Sequence, residues 1–158
     1  DNYYEKMVKD WDIPSATIGI VKDGKLIFTG NYGTMEVGKN QKPNEHTLYA
    51  IASNSKAFTS AMIGMLVQEG KLNWNDKVKK HLPYFEVYDT WVSNNVSIRD
   101  LLSHRVGLGT FSGDNIWYKS DLPAEDIIKR IKHVPQAYDF RAGYGYSNLM
   151  FITAGEII

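Results

Sequence analysis

A serine and a lysine stand three residues apart in the segment Ser53-Asn54-Ser55-Lys56. At the start of a helix, side chains at positions i and i+3 share a face, with Cβ atoms about 5–6 Å apart, so the hydroxyl and the amine can meet. A serine hydroxyl is a weak nucleophile until a base removes its proton, and a lysine can act as that base only in its neutral form. The positive end of the helix dipole and burial both disfavour the ammonium. Taken alone, the same residues are also typical of a helix N-cap followed by a solvated lysine.

A second polar motif, Tyr146-Ser147-Asn148, occurs once and directly precedes an apolar run. Tyr146 can relay a proton if the charge of Lys56 lowers the pKa of its phenol. The Asn148 amide can donate to a substrate carbonyl and accept from Lys56. The alternative interpretation is a tyrosine-rich surface loop.

Helices are expected to position these residues. From Ser53 to Glu69 the apolar side chains recur at helical spacing, and Gly70 is a natural stop signal. Ser97-Ile98-Arg99-Asp100 has the form of a capping box, which begins a short helix that we expect Gly107 and Gly109 to end.

The other predicted elements are an N-terminal hairpin and three further helical segments. β-branched and aromatic residues flank Asp23-Gly24, a pair that suits a type I′ turn. Two strands alone are marginally stable, so this hairpin must pack against helices or further strands. The helical segments begin at Asn75-Asp76, at Pro123-Ala124-Glu125-Asp126 and at Leu149, and they end near Pro83, Pro135 and Ile158.

Five local pieces of the chain, taken in order, resemble the serine β-lactamase-like family in its branch of class C β-lactamases, penicillin-binding proteins and esterases. The resemblance implies an α+β fold of the β-lactamase/transpeptidase type, with the hairpin as part of its sheet and a mostly helical remainder. It also implies that residues 1–158 form a single incomplete domain that lacks the C-terminal strands. The pieces are residues 22–25, 51–59, 72–78, 98–104 and 146–148.

The resemblance implies a role for each polar residue of the two motifs. Ser53 forms the acyl-enzyme, Lys56 and Tyr146 handle the proton, with Tyr146 as the favoured base, and Asn148 holds the substrate amide. The backbone N–H of Ser53 is one donor to the oxyanion. The second donor belongs to a Lys-Thr-Gly or His-x-Gly strand, a motif that does not follow Asn148 in this sequence.

The sequence departs from the family pattern at two places. Phe140-Arg141 stands where the family often has Pro-Gly, and Arg105-Val106 replaces the commoner Thr-Ser. Both departures argue against a dedicated β-lactamase. We therefore predict a serine hydrolase that acts through an acyl-enzyme at Ser53 on an amide, ester or β-lactam bond of a small molecule or peptide.

Two other functions remain open. The first is a penicillin- or peptide-binding or sensor module that acylates at Ser53 with little turnover, which a measurement of deacylation distinguishes. The second is an inactive structural fragment that needs the missing C-terminal part of the same fold and associates through apolar surface.

Composition excludes several classes of partner and cofactor. Lys+Arg 18 against Asp+Glu 18 gives no net charge, which disfavours nucleic acid. With no cysteine and no pair of histidines at i, i+4 beside an acidic partner, we predict no metal and no cofactor. The longest apolar stretch, residues 61–67, is too short to span a membrane. The family resemblance implies a periplasmic or secreted bacterial protein.

Two further positions are singled out by residue type. His104 is expected to pack or to form a hydrogen bond at the end of its helix. Trp117 and Tyr118 are candidates to line a substrate cleft, although most large aromatic residues belong to a core.

Overall fold

The fold is a short antiparallel sheet followed by a mostly helical region, in a computed structural model that describes residues 2–158. The chain divides into two compact units, Asp1–Ala50 and Ile51–Ile158. The helices are α1 (Asn2–Asp10), α2 (Ser55–Gln68), α3 (Val78–His81), α4 (Thr90–Asn95), α5 (Ile98–Leu102), α6 (Ala124–Arg130) and α7 (Asn148–Ile157). The strands are β1 (Ser15–Lys22) and β2 (Lys25–Gly33), and 3-10 turns span Ala52–Asn54, Asp114–Ile116 and Ile131–His133.

The first unit consists of α1 and the predicted hairpin, which is confirmed. β1 and β2 pair antiparallel, with Lys22 opposite Lys25 at the turn. Asp23 and Gly24 have φ values of 51° and 71°, the positive values that a type I′ turn requires. Helix α1, which was not predicted, packs against β2, and its Tyr4 ring lies 5.6 Å from that of Tyr32.

The second unit is built around α7, which packs against α2, α5 and α6. Phe85 is the one aromatic residue among the described buried members of its core cluster, and α7 contributes Leu149, Met150 and Ala154 to that cluster. The last helix begins at Asn148 rather than Leu149, because Ser147 caps it by accepting a hydrogen bond from the Met150 N–H. The fully buried residues include Phe85, Ile98, Leu101, Leu108, Ile128, Ile131, Leu149 and Met150.

Helix α2 confirms the most regular of the predicted helices. Its α-helical part begins at Ser55, after the 3-10 turn that contains Ser53, and Gly70 follows it with φ 72°. Within its own unit, α2 keeps Ile63 fully buried but leaves an apolar face exposed. We call Phe58, Met62 and Met65 the exposed face of α2, with side chains that are 64%, 47% and 60% exposed.

The capping box of α5 is confirmed, but the prediction of where this helix ends is wrong. Ser97 and Asp100 exchange the two expected hydrogen bonds, and the helix stops at Leu102, well before Gly107. The residue that turns the chain is His104, with φ 57°. Its carbonyl accepts a hydrogen bond from the Gly145 N–H at 3.0 Å, so a tertiary contact takes the place of the predicted glycine stop.

The remaining helices agree with the sequence in type and less well in their bounds. The segment predicted from Asn75 becomes helical only at Val78, and the helix predicted from Pro123 has that proline as its N-cap. Helix α4 was not predicted. It begins after Asp89, whose carboxylate accepts the Val92 N–H at 2.8 Å.

A buried carboxylate links α5 to the segment before Tyr146. Asp100 accepts hydrogen bonds from Arg141 Nε at 2.9 Å and Nη2 at 2.7 Å, and from the Ser97 hydroxyl at 2.7 Å. Burial alone raises the pKa of Asp100, but the bonds from Arg141 and Ser97 outweigh it and hold that pKa below 3.8. Arg105 donates in turn to the Arg141 carbonyl, and the Arg141 N–H donates to the Arg105 carbonyl at 3.0 Å.

Candidate active site

Ser53 lies at the start of α2, on the turn that leads into the helix. The preceding residue, Ala52, has φ 45°, a left-handed conformation that costs a non-glycine residue on the order of 1 kcal/mol. Such strain persists only where the surrounding structure imposes it. The turn leaves Ser53 exposed at the N-terminal end of α2, where backbone N–H groups are unpaired within the helix.

The Lys56 ammonium points back at Ser53, as the spacing predicted. Its Nζ donates to Ser53 Oγ at 3.3 Å and to Asn148 Oδ1 at 2.6 Å. The same atom lies 4.8 Å from the centroid of the Tyr146 ring and 5.4 Å from that of Phe151. Lys56 therefore joins the two sequence motifs, which are 92 residues apart.

The Tyr146 hydroxyl makes the shortest contact to Ser53. It donates to Ser53 Oγ at 2.6 Å, and in the phenolate form the same contact would accept the serine proton. The Lys56 ammonium, and then the hydrogen bond with Ser53, lower the pKa of Tyr146 below 10.0 despite partial desolvation. The arrangement is thus suited to moving a proton between Ser53 and Tyr146.

The loop after α5 fixes the backbone of Tyr146 on both sides. The Tyr146 N–H donates to Thr110 Oγ1 at 3.2 Å, and its carbonyl accepts the Phe111 N–H at 2.9 Å. The preceding residue must be glycine, because a Cβ at Gly145 would lie 1.7 Å from the Leu108 carbonyl oxygen. The position of Tyr146 is therefore set by one loop, residues 108–111, that is distant in sequence.

His104 packs against the Tyr146 ring and bonds to the backbone of the next residue, which confirms the expectation that it packs and forms a hydrogen bond. Its Nδ1 accepts the Ser147 N–H at 3.0 Å, so the imidazole must be neutral at that nitrogen. Its ring lies 4.7 Å from the Tyr146 ring and 5.2 Å from the Phe151 ring. Burial, and then the charge of Lys56, lower the pKa of His104 below 6.5.

The lowered pKa of His104 predicts that the stability of the protein depends on pH. A group whose pKa is lower in the folded state stabilises the protein fully above its unfolded pKa, here about 6.5, and that contribution is lost as the pH falls through the folded pKa. We expect the free energy of unfolding to fall more steeply below about pH 6.5 in the wild type than in His104→Asn. Asparagine offers an acceptor near Nδ1, tolerates the positive φ and does not titrate.

Urea unfolding at several pH values measures this difference. His46→Asn is the matched control for the loss of a histidine, because the His46 side chain is 87% exposed. We expect this substitution to leave the dependence of the unfolding free energy on pH as it is in the wild type. Equal slopes for the wild type and His104→Asn would show that His104 does not carry the effect.

Asn148 is held between Lys56 and a residue that the sequence did not single out, Asp114. The Asn148 Nδ2 donates to Asp114 Oδ2 at 2.9 Å, and the Trp117 Nε1 donates to Asp114 Oδ1 at 2.9 Å. Asp114 follows Gly113, whose φ is 78°, and starts a 3-10 turn. Nothing in the local sequence signals a contact that spans 34 residues.

An open cavity of about 220 Å³ lies beside Lys56 and Asn148. Trp117 lines it, in agreement with the interpretation of this residue as part of a cleft, whereas Tyr118 is 63% exposed and does not. The other lining residues are Ala52, Ser55, Thr59, Phe151 and Ile152.

Comparison with known proteins identifies the family. The profile of the Beta-lactamase family matches residues 1–158. The chain belongs to the beta-lactamase family. This membership confirms the family that the five sequence pieces indicated.

Two curated relatives and one solved structure illustrate the similarity of this beta-lactamase-family chain. Protein flp of Staphylococcus aureus (strain NCTC 8325 / PS 47) is 38% identical over 169 residues, which cover 100% of the chain and 32% of flp. Unguisins hydrolase ungD' of Aspergillus campestris is 33% identical over 171 residues, covering 100% of the chain and 31% of the hydrolase. The chain thus spans about a third of the length of these curated relatives.

The solved structure is the octameric penicillin-binding protein homologue of Pyrococcus abyssi. It superposes with a TM-score of 0.81 at 23% identity, covering 99% of the chain and 37% of the homologue. This likeness confirms the predicted α+β, β-lactamase/transpeptidase-like fold of the beta-lactamase-family chain.

The described residues were also compared with the requirements of a membrane span and of a metal site. None of the helices within residues 2–158 is long and apolar enough to cross a membrane. In the same part of the chain, no three His, Asp or Glu side chains are grouped as metal ligands.

Proposed function

We propose that the protein is a serine hydrolase that forms an acyl-enzyme at Ser53 on an amide, ester or β-lactam bond of a small molecule or peptide. One observation carries the proposal: Ser53 Oγ lies 2.6 Å from the Tyr146 hydroxyl and 3.3 Å from Lys56 Nζ. A nucleophile within hydrogen-bond reach of a base that is itself oriented by a third group is the arrangement that activates serine. Membership of a family of hydrolases supports the same reaction class.

The proposed reaction has two steps. Tyr146, as phenolate, takes the Ser53 proton while Oγ attacks the carbonyl carbon, and the proton then passes to the leaving group as the acyl bond breaks. In the second step Tyr146, again as phenolate, takes a proton from the water that attacks the acyl carbon. That proton passes to Ser53 Oγ as the acyl–oxygen bond breaks and the acid leaves. Lys56 stabilises the phenolate throughout, and the Asn148 amide can donate to a substrate carbonyl.

The backbone N–H of Ser53 is the proposed first donor of the oxyanion hole. A second donor is typical of such sites, and loss of one donor costs about 10²–10³ in rate. We propose that the second donor comes from a strand outside residues 1–158, as part of one domain that includes this chain. The exposed face of α2, with Phe58, Met62 and Met65, supports a further packing partner of this kind.

Intact mass of the chain after exposure to a fluorophosphonate, and separately to a penicillin, tests the proposal. We expect a single adduct that is absent in Ser53→Ala. A folded wild-type sample that gives no adduct with either probe would contradict an activated Ser53 in this chain. An adduct that forms with penicillin and persists for many hours would favour the binding or sensor module over the hydrolase.

The predicted periplasmic or secreted location stays a prediction from the family resemblance. Fractionation of cells that produce the whole protein, followed by detection with a labelled fluorophosphonate, would locate it.

A further inference from the structure

Asp114 is the one acidic side chain of the described residues that contacts Asn148 directly. It is partly buried, and each of its carboxylate oxygens accepts one hydrogen bond at 2.9 Å, from Asn148 Nδ2 and from Trp117 Nε1. Trp117 packs against the buried core of the second unit. The carboxylate is therefore held in a fixed orientation by a side chain that is itself fixed.

The two neighbours of Asn148 determine which way its amide points. An ammonium can only donate and a carboxylate can only accept, so Lys56 requires the amide oxygen and Asp114 requires the amide nitrogen. The observed contacts satisfy both, with Oδ1 at 2.6 Å from Lys56 Nζ and Nδ2 at 2.9 Å from Asp114 Oδ2. A rotated amide would exchange two charge-assisted hydrogen bonds for two repulsive contacts.

We infer that Asp114 is a positioning residue for the proposed acylation of Ser53: it orients the Asn148 amide and, through that amide, holds the Lys56 ammonium against Ser53. The inference rests on the proposed function. Asp114 acts through the chain of contacts from carboxylate to amide to ammonium. It also leaves the second N–H of the Asn148 amide directed away from Asp114, where a substrate carbonyl can accept it.

The alternative is that Asp114 has a purely structural role. In that case it only accepts the hydrogen bond from the Trp117 indole and so fixes the 3-10 turn. An asparagine at position 114 can still accept from Trp117 Nε1 through its own oxygen. That choice, however, turns its NH₂ group toward the Nδ2 of Asn148, so two donors face each other.

An exchange of the two side chains separates these roles. In the double variant Asp114→Asn with Asn148→Asp, Lys56 donates to one oxygen of the carboxylate placed at position 148. The amide placed at position 114 donates to the other oxygen, and its own oxygen accepts from Trp117. The three hydrogen bonds among Lys56, positions 148 and 114, and Trp117 are thereby restored with the amide and the carboxylate interchanged, whereas the N–H that Asn148 can offer to a substrate is lost. Neither single variant can restore this set of hydrogen bonds. In Asp114→Asn two amides face each other, and in Asn148→Asp two carboxylates do.

The rate of fluorophosphonate labelling at Ser53, followed by intact mass, is the first measurement. We expect Asp114→Asn to lower this rate about 10–100-fold, the range typical of lost second-layer contacts. Compared on the plateau of each pH profile, the double variant should react several-fold faster than Asp114→Asn. Its plateau should be reached at a higher pH, because a carboxylate next to Lys56 and Tyr146 raises the pKa of the phenol. A single variant whose plateau rate lies within about twofold of the wild type, or a double variant with a plateau no faster than that of the single, would overturn the inference.

The side-chain amide resonances of Asn148 in a ¹H–¹⁵N spectrum are the second measurement, and they do not need an active enzyme. Asn148→Asp assigns them by loss, and Trp117→Phe assigns the indole resonance of Trp117. We expect Asp114→Asn to shift the Asn148 amide resonances while the Trp117 indole resonance persists. Unchanged Asn148 resonances would overturn the positioning role, whereas shifted resonances in a chain that no probe labels would overturn only the proposed function.

Discussion

Tyr146→Phe is expected to slow acylation of Ser53 by about 10²–10⁴-fold at neutral pH, the range for loss of a general base. The substitution removes only the hydroxyl that lies 2.6 Å from Ser53 Oγ. The ring keeps its contacts with His104 at 4.7 Å and Phe111 at 5.4 Å, so the loop should remain in place. The rate of labelling by a fluorophosphonate, measured against pH, gives the result.

The pH profile identifies the base. In the wild type the rate should rise with pH as the phenolate forms and level off above the pKa of Tyr146, which lies below 10.0. That rise should be absent in Tyr146→Phe. Tyr144→Phe is the matched control, because Tyr144 is 61% exposed and also contacts His104, at 5.5 Å. If Tyr146→Phe keeps the wild-type rate and profile, Lys56 is the base instead.

Lys56→Met should also slow acylation by about 10²–10⁴-fold at neutral pH. Methionine keeps an unbranched apolar side chain but loses the donor to Ser53 and to Asn148, which lie 3.3 Å and 2.6 Å from Nζ. It also removes the cation that contributes most to the lowered pKa of Tyr146. The pH at which the rate levels off should therefore move upward, toward that of an ordinary phenol.

The upward shift of the pH profile distinguishes loss of the Lys56 charge from misfolding, because a damaged fold lowers the acylation rate without moving its pH profile. Lys71→Met is the control variant, because its lysine lies just beyond α2, is 66% exposed and pairs only with Glu69 among the ion pairs of the described chain. A profile that stays in place while the rate falls, in a variant whose thermal unfolding matches the wild type, would assign Lys56 to positioning alone.

The parts of the fold that the sequence predicts well are those with a local physical cause. The hairpin follows from Asp23-Gly24, and the start of α5 follows from Ser97 and Asp100, which bond to each other within one turn. The end of α5 could not be predicted in the same way. It depends on the bond between the His104 carbonyl and the Gly145 N–H, which are 41 residues apart in the sequence.

The candidate site shows the same difference between local contacts, which the sequence predicts, and long-range contacts, which it does not. Ser53 and Lys56 share one turn, so their spacing alone predicts that they meet. Their contacts with Tyr146 and Asn148 span 93 and 92 residues, and the sequence indicated them only through the family resemblance. Asp114 carries no such motif, and a lone acidic residue in a loop is ordinarily a solvated one.

The two places where the sequence departs from the family pattern are neighbours in space, since Arg105 and Arg141 exchange hydrogen bonds and Arg141 pairs with buried Asp100. Glycine at position 141 alone would remove the two hydrogen bonds that Arg141 gives to the buried Asp100 carboxylate and would leave only those from Ser97. The two departures are therefore physically coupled, because Arg141 contacts Arg105 on one side and Asp100 on the other. Residues that share partners in this way do not change independently, so substitutions at positions 105 and 141 should have non-additive effects on stability.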